Sequence, residues 1–344
     1  MTRSYLKFLV PAVIAAVLPL AAPAHAQGPM KLQTSAHLDG DGGWDYLTAD
    51  GRSHRLYISR GTHVMVVDTE TGKSAGEVAD TPGVHGIAIA GRLGKGFTSN
   101  GRDNSVTVFD TTTLKSVGKV SVGQSPDAII FDRASGRVFT FNGGSNDSTA
   151  VDAATQTVAG TIALGGRPEF AVSDGKGMVY VNIEDKNEIV AIDSKALTIK
   201  SRWSIAPGDG PSGLAMDTKN RRLFAVCGNG MMVVVDADSG KVVATPAIGK
   251  GPDAAAFDSK TMRAFSSNGE GSITVIKETD PDHYTVEQTI TTQPGARTMA
   301  LDGRTHKIYL VTAKSMSAPA GATGEQRYRR SYAPGTFTLL TVSE

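Results

Sequence analysis

Seven positions in this chain recur at a nearly constant interval and carry side chains able to move protons or pair with charge: Asp45, His85, Asp127, Glu169, Ser212, Asp253 and Arg297. Each stands five residues ahead of a second recurring marker, Asp50, Ala90, Asp132, Asp174, Asp217, Asp258 and Asp302. Every member but Ser212 is ionisable. An imidazole beside carboxylates suits general acid and base work, and a guanidinium pairs with anions. Carboxylates that converge raise one another's pKa values or are relieved by a cation. Brought to one place, these residues would form a polar binding site, or a proton-transfer site around a divalent cation. Proline precedes four of them, at Pro126, Pro168, Pro211 and Pro252, and fixes the approach of the chain. An acidic residue after proline can also cap a local turn, but a turn device alone does not account for the change to His85 and Arg297.

The elements that must carry these residues follow the same interval. A strand ending in an apolar residue and Asp recurs at Val67-Asp68, Phe109-Asp110, Val151-Asp152, Ile192-Asp193 and Val235-Asp236, with Ile276-Lys277 next in the cycle. Within residues 125–164, SPDAIIFD, RVFTFN, STAVDA and TVAGTIAL are four short apolar or alternating segments divided by Gly, Asn, Asp and Ser. They read as four β-strands joined by hairpin turns. Four strands in about 42 residues is the size of a propeller blade. Units beginning at Trp44, Val84, Pro126, Pro168, Pro211, Pro252 and Ala296 number seven. The expected fold is therefore all-β, a seven-bladed propeller of four-stranded blades. Its last blade lacks an outer strand after TFTLLTV (336–342), and KLQTSAHL (31–38) is a strand without a partner in the first blade, so the N-terminal strand is expected to complete the C-terminal blade and close the ring. Inner strands line the channel of a propeller, so the seven polar positions would ring one mouth.

FTSNGRDNSVTVFD (97–110), FTFNGGSNDSTAVD (139–152), YVNIEDKNEIVAID (180–193) and FSSNGEGSITVI (265–276) resemble the YVTN repeat of YncE-like seven-bladed β-propellers, and the likeness extends over nearly the whole mature chain. LYISRGTHVMVVD, LFAVCGNGMMVVVD and the last unit depart from it by losing the Asn, and Lys277 replaces the usual Asp. The resemblance implies an exported or surface protein that binds something, often without enzymatic activity.

Composition narrows the function. The 344 residues hold 35 Lys+Arg against 34 Asp+Glu, which gives no general surplus of cations for nucleic acid or an anionic membrane. A single cysteine, Cys227, forbids an intrachain disulfide and any multi-cysteine metal centre, and its place in the strand LFAVC marks it as a small buried hydrophobe. Arg3 and Lys7 ahead of the apolar run Phe8 to Ala22, followed by Ala24-His25-Ala26, make residues 1–26 a secretory signal peptide to be removed. A single propeller domain, residues 27–344, would then remain in the periplasm or be secreted. No later segment approaches the length of a membrane span. Nothing predicts a dimer, so a monomer is expected. The motif G-x-S-x-G, H-E-x-x-H and a P-loop are all missing. Asp39 to Asp45 spaces carboxylates like a calcium loop but lacks the bidentate Glu and reads as an Asp/Gly turn.

One long connection lies on the mouth side, residues 315–334 of the last unit, and its tip carries Arg327, Tyr328, Arg329, Arg330 and Tyr332. Loops this long are commonly lids or binding loops, and this one is expected to fold over the acidic ring. Two functions compete. In one, the mouth binds a small periplasmic ligand or a partner protein. In the other, a lactonase- or lyase-type enzyme uses His85 with Asp127 or Glu169 as acid and base, with or without a divalent cation. Carboxylates spread over nearly all blades suit a broad electrostatic rim better than a compact catalytic metal site. Nucleic acid is disfavoured, because four carboxylates at the mouth repel phosphate.

Overall fold

The computed structural model describes residues 1, 2, 4, 28–40, 42–316 and 331–344, so the expected signal peptide and most of the long loop lie outside the described residues. Seven four-stranded antiparallel sheets are arranged around an axis, with two 3-10 turns, Gly91–Leu93 and Glu184–Lys186, and no α-helix among the described residues. The third blade shows the plan, running outward through Pro126–Asp132, Arg137–Asn142, Asp147–Asp152 and Thr157–Ala163. Its second strand is almost wholly buried because neighbouring blades cover both faces, whereas its outermost strand is mostly exposed. Each innermost strand packs against the next around the ring, and Met299–Asp302 of the last blade packs against Leu47–Asp50 of the first.

Closure is as the sequence indicates. The last sheet runs outward through Met299–Asp302, Lys307–Thr312 and Thr338–Ser343 to Lys31–His37, with Lys31 opposite Ser343 and His37 opposite Thr338. Leu38, Leu47, Leu56, Tyr309 and Leu339 form the buried seam between this blade and the first. The repeated aspartates are turn devices. Asp68, Asp110, Asp152, Asp193 and Asp236 each accept backbone N–H bonds of 2.7 to 3.1 Å from the residues two and three positions later. Their repetition in the sequence therefore reports turn geometry, whereas the mouth positions vary in residue type.

Glycine enters the packing where blades meet near the axis. A β-carbon on Gly213 would lie 2.5 Å from the Ala255 backbone nitrogen, so the innermost strands of the fifth and sixth blades approach as closely as they do because no side chain intervenes. Cys227 is fully buried, as expected, and burial pushes its thiol up to about 12.

Candidate functional site

The residues at the mouth are set by bulges. In the second to sixth blades the innermost strand carries one extra residue against its neighbour, between Val84 and Ile87, Pro126 and Ile129, Pro168 and Ala171, Pro211 and Leu214, and Pro252 and Ala254. A bulge re-aims side chains and strengthens the local twist, and His85, Asp127, Glu169, Ser212 and Asp253 all fall within these irregularities. Side chains of the second strands hold their backbone. Ser99 Oγ donates to the Asp127 carbonyl and accepts from Gly86 N–H at 2.9 Å. Ser267 does the same for the Arg297 carbonyl, and Asn182 Nδ2 donates to the Ser212 carbonyl at 2.8 Å. In these three cases one blade positions the mouth residue of the next.

The seven positions do not form an even rim. Asp45, His85 and Asp127, from three consecutive blades, converge so that one ligand atom from each lies within 4.8 Å of the others. Nδ1–H of His85 donates to Asp45 Oδ2 at 2.6 Å, and the nearest oxygen of Asp127 stands 3.5 Å from the same nitrogen. Across the mouth, Arg297 Nη1 pairs with Asp253 Oδ2 at 3.0 Å. Ser212 Oγ turns back to the Pro252 carbonyl at 3.2 Å, and Glu169 lies half-buried between the two groups. The triad is more compact than the broad rim the sequence suggests: bulges aim His85 and Asp127 at Asp45, which stands just ahead of the first innermost strand, a grouping that spacing alone could not show.

The electrostatics follow from this crowding. Burial disfavours charge on His85, but the Asp45 hydrogen bond and the charges of Asp127, Asp45 and Glu169 outweigh it and raise the imidazole to about 9. Burial and the Asp45 charge push Asp127 up, against the cations His85, Arg167 and Arg297. Burial, then the charges of Asp127, Glu184, Asp253 and Asp45, raise Glu169 to about 8. At neutral pH the mouth thus holds a charged imidazole and a protonated glutamate. One buried oxygen of Asp127, Oδ1, has no hydrogen-bond partner. His85 offers a proton, while Glu169 can exchange its proton for a cation and Asp127 can pair with one.

Sequence reasoning missed the floor. Tyr46 and Phe170 occupy the position after the mouth residue in the first and fourth blades, where Gly86, Ala128, Gly213 and Ala254 are small. Their rings lie 5.3 Å apart, and Tyr46 is buried against Ala128 and Ala171. Blades one and four are not neighbours, so this contact crosses the channel and plugs it beneath the mouth. Burial and the charges of Asp127, Glu169, Asp45 and Asp253 raise the Tyr46 phenol well above its usual range. Two aromatics at one phase of a repeat otherwise filled by small residues was the available signal.

Of the expected lid, Arg327, Tyr328, Arg329 and Arg330 lie outside the described residues. Tyr332 is described, in a two-strand ladder in which Ser315–Met316 pairs with Ser331–Tyr332. Its ring lies 4.6 Å from that of Trp44, which also meets Phe337 at 5.5 Å, and the Arg60 guanidinium sits 3.5 Å over Phe337. The root of the loop is thereby fixed beside Asp45. Asp41, in the Asp/Gly turn, also lies outside the described residues. No described helix is long and apolar enough to cross a membrane.

Fold and site together define a seven-bladed β-propeller with a plugged channel and an acidic mouth. No protein-family model matches the chain, and no curated protein matches it. Solved structures share the fold. Kuenenia stuttgartiensis hydrazine synthase is 16% identical with a TM-score of 0.67, over 80% of this chain and 94% of that one. A chain of the mitotic checkpoint complex is 11% identical with a TM-score of 0.72, over 100% of this chain and 99% of that one. The RRP9 WD40 repeats are 8% identical with a TM-score of 0.74, over 92% of this chain and 100% of that one. Identities this low carry the architecture alone, which unrelated functions share.

Proposed function

We propose that this chain is an exported YVTN-repeat, YncE-like propeller that works as a monomeric binding protein, and that its mouth takes a cationic group, the ammonium of a small periplasmic ligand or of a partner protein's lysine. The observation that carries the reading is the charge-starved state of the mouth: Glu169 is held protonated up to about 8, and Asp127 Oδ1 is buried with no hydrogen-bond partner. A bound cation would stabilise both carboxylates as anions and release a proton. Export rests on the N-terminal charged and apolar run, and family membership on the four quoted repeats.

The enzyme reading keeps one specific support, the Asp45–His85–Asp127 triad, which offers two carboxylates and an imidazole to a divalent cation and would leave coordination positions open. One experiment addresses both. Thermal unfolding of EDTA-treated residues 27–344 is followed with putrescine, Mg²⁺, Ca²⁺ or Zn²⁺ at pH 6 and 8.5. A native-state ligand at a hundredfold excess over Kd stabilises by about 2.7 kcal/mol. Stabilisation by putrescine that grows with pH and disappears in Asp127→Asn/Glu169→Gln supports ammonium capture. Stabilisation by a metal alone, abolished by His85→Ala, favours the triad as a metal site. A midpoint indifferent to every cation at both pH values refutes both.

A further inference from the structure

The opposite end of the channel carries a second ring that neither the mouth nor its ligand uses. In every blade the turn after the innermost strand places a cation within three residues of the strand's end. Arg304, Arg52, Arg92 and Arg133 come from the last blade and the first three, which are consecutive around the ring. Lys176, Lys219 and Lys260 complete it from the fourth to the sixth. All seven are exposed, and none forms a salt bridge among the described residues. The side-chain contact recorded among them is Arg133 Nε to the Gly175 carbonyl at 3.4 Å.

The aspartates that close the innermost strands are consumed by their own turns, where the backbone N–H groups of Arg52, Lys176, Lys219, Lys260 and Arg304 donate to them at 2.7 to 3.1 Å. Asp174 is further paired with Arg221 at 2.9 Å, and Asp258 with His306 at 2.9 Å. Asp132 accepts three serine hydroxyls, from Ser135, Ser173 and Ser194. The same aspartate thus fixes the backbone of the turn while the cationic head extends into solvent. At the centre is a recess of about 830 Å³ whose wall includes Arg52, Arg92 and Arg133. Asp50, Asp152 and Asp174 also reach this wall, each already engaged by backbone N–H groups.

We infer that this recess is an anion-binding site for a soluble, multiply phosphorylated compound, a short polyphosphate chain whose successive groups are held by the arginine half of the ring. Guanidinium groups engage phosphate oxygens in a bidentate fork, and three of them around one concavity favour an anion with several phosphates over a single one. A bilayer surface fits less well, because the site is concave and Leu93 is the sole exposed large hydrophobe on its wall to enter lipid. Single-stranded nucleic acid fits less well too, because Phe131 is the one aromatic ring there and base stacking needs a series of them.

Isothermal titration of residues 27–344 with sodium tripolyphosphate and with orthophosphate, at about 50 and 300 mM KCl, tests the inference. Tripolyphosphate is expected to bind at least about tenfold tighter than orthophosphate, with an affinity that falls as salt rises. Arg52→Gln/Arg92→Gln/Arg133→Gln should weaken it at least about tenfold, and Lys119→Ala/Arg202→Ala on the outer strands should leave it unchanged. If the triple variant fails to fold, Arg92→Gln/Arg133→Gln serves with an expected loss of about fivefold. Absence of binding, or equal binding by the variant, overturns the site. Retention on phosphatidylglycerol vesicles or single-stranded DNA that tripolyphosphate does not displace overturns the choice of ligand.

Discussion

Replacing Glu169 with Gln tests the electrostatics of the mouth through the stability of the whole ring. Glu169 is raised from its ordinary value near 4.5 to about 8 by burial and by the surrounding carboxylates. Between those values the native state holds a proton that the unfolded chain has lost. Stability therefore falls as pH rises through this window, and the contribution is fully present only below the unfolded value. From pH 5 to pH 8 the window spans three units at about 1.4 kcal/mol each, a ceiling of about 4 kcal/mol. Sharing of the proton with Asp127 and solvent at the half-open mouth reduce this to an expected loss of roughly 2 kcal/mol. Glu169→Gln keeps the shape and removes the titration. Urea unfolding followed by tryptophan fluorescence at pH 5, 7 and 9 should show the variant within about 0.5 kcal/mol of the parent at pH 5 and more stable by roughly 2 kcal/mol at pH 9. A variant whose pH dependence runs parallel to the parent's would show that Glu169 ionises freely, and the charge-starved mouth would be refuted.

Three further outcomes rest on other parts of the molecule. Tyr46→Ala should cost roughly 3 kcal/mol in urea, because the ring is buried across the channel against Phe170 and Ala128, while Tyr46→Phe should cost less than half as much. Gly213→Ala should destabilise by about 2 kcal/mol, because its β-carbon would meet backbone atoms of Ala254 and Ala255 at 2.5 to 2.7 Å; an unchanged urea midpoint would show that the two blades can part without loss. Cys227, with its thiol pushed up to about 12, should resist Ellman's reagent at pH 8 in the native protein and react fully in denaturant.

The architecture was readable because propellers repeat. The aspartates at 68, 110, 152, 193 and 236 fix one register, and the unmatched strands at the two ends of the chain predict their own pairing. The seven mouth positions were also legible as a set, since each holds a fixed offset from a marker at the end of its innermost strand, an aspartate in every blade but the second, where Ala90 stands. Their grouping was not. Whether Asp127 turns toward His85 or toward Glu169 depends on the bulges after Val84 and Pro126, and a bulge leaves no mark in a sequence beyond one extra residue. Tyr46 and Phe170 were passed over because aromatic residues in strands read as ordinary core. The basic ring was hidden by its own partner: an aspartate followed by a cation reads as a neutral pair until the carboxylate is seen bonded to the backbone of its own turn.

Pairing Lys31–His37 with Thr338–Ser343 also orders events in time. Hairpins within a blade can form as soon as their residues are available, but the ring stays open until the carboxy-terminal strand arrives. Joining segments some 300 residues apart adds little to the entropic cost of closure, which grows only logarithmically with separation. The greater hazard lies in the waiting. A chain stopped before Thr338 would leave Lys31–His37 and Lys307–Thr312 with bare hydrogen-bonding edges, and bare edges recruit other strands. Incomplete chains of this protein should therefore be found as aggregates or protease fragments rather than as shorter propellers.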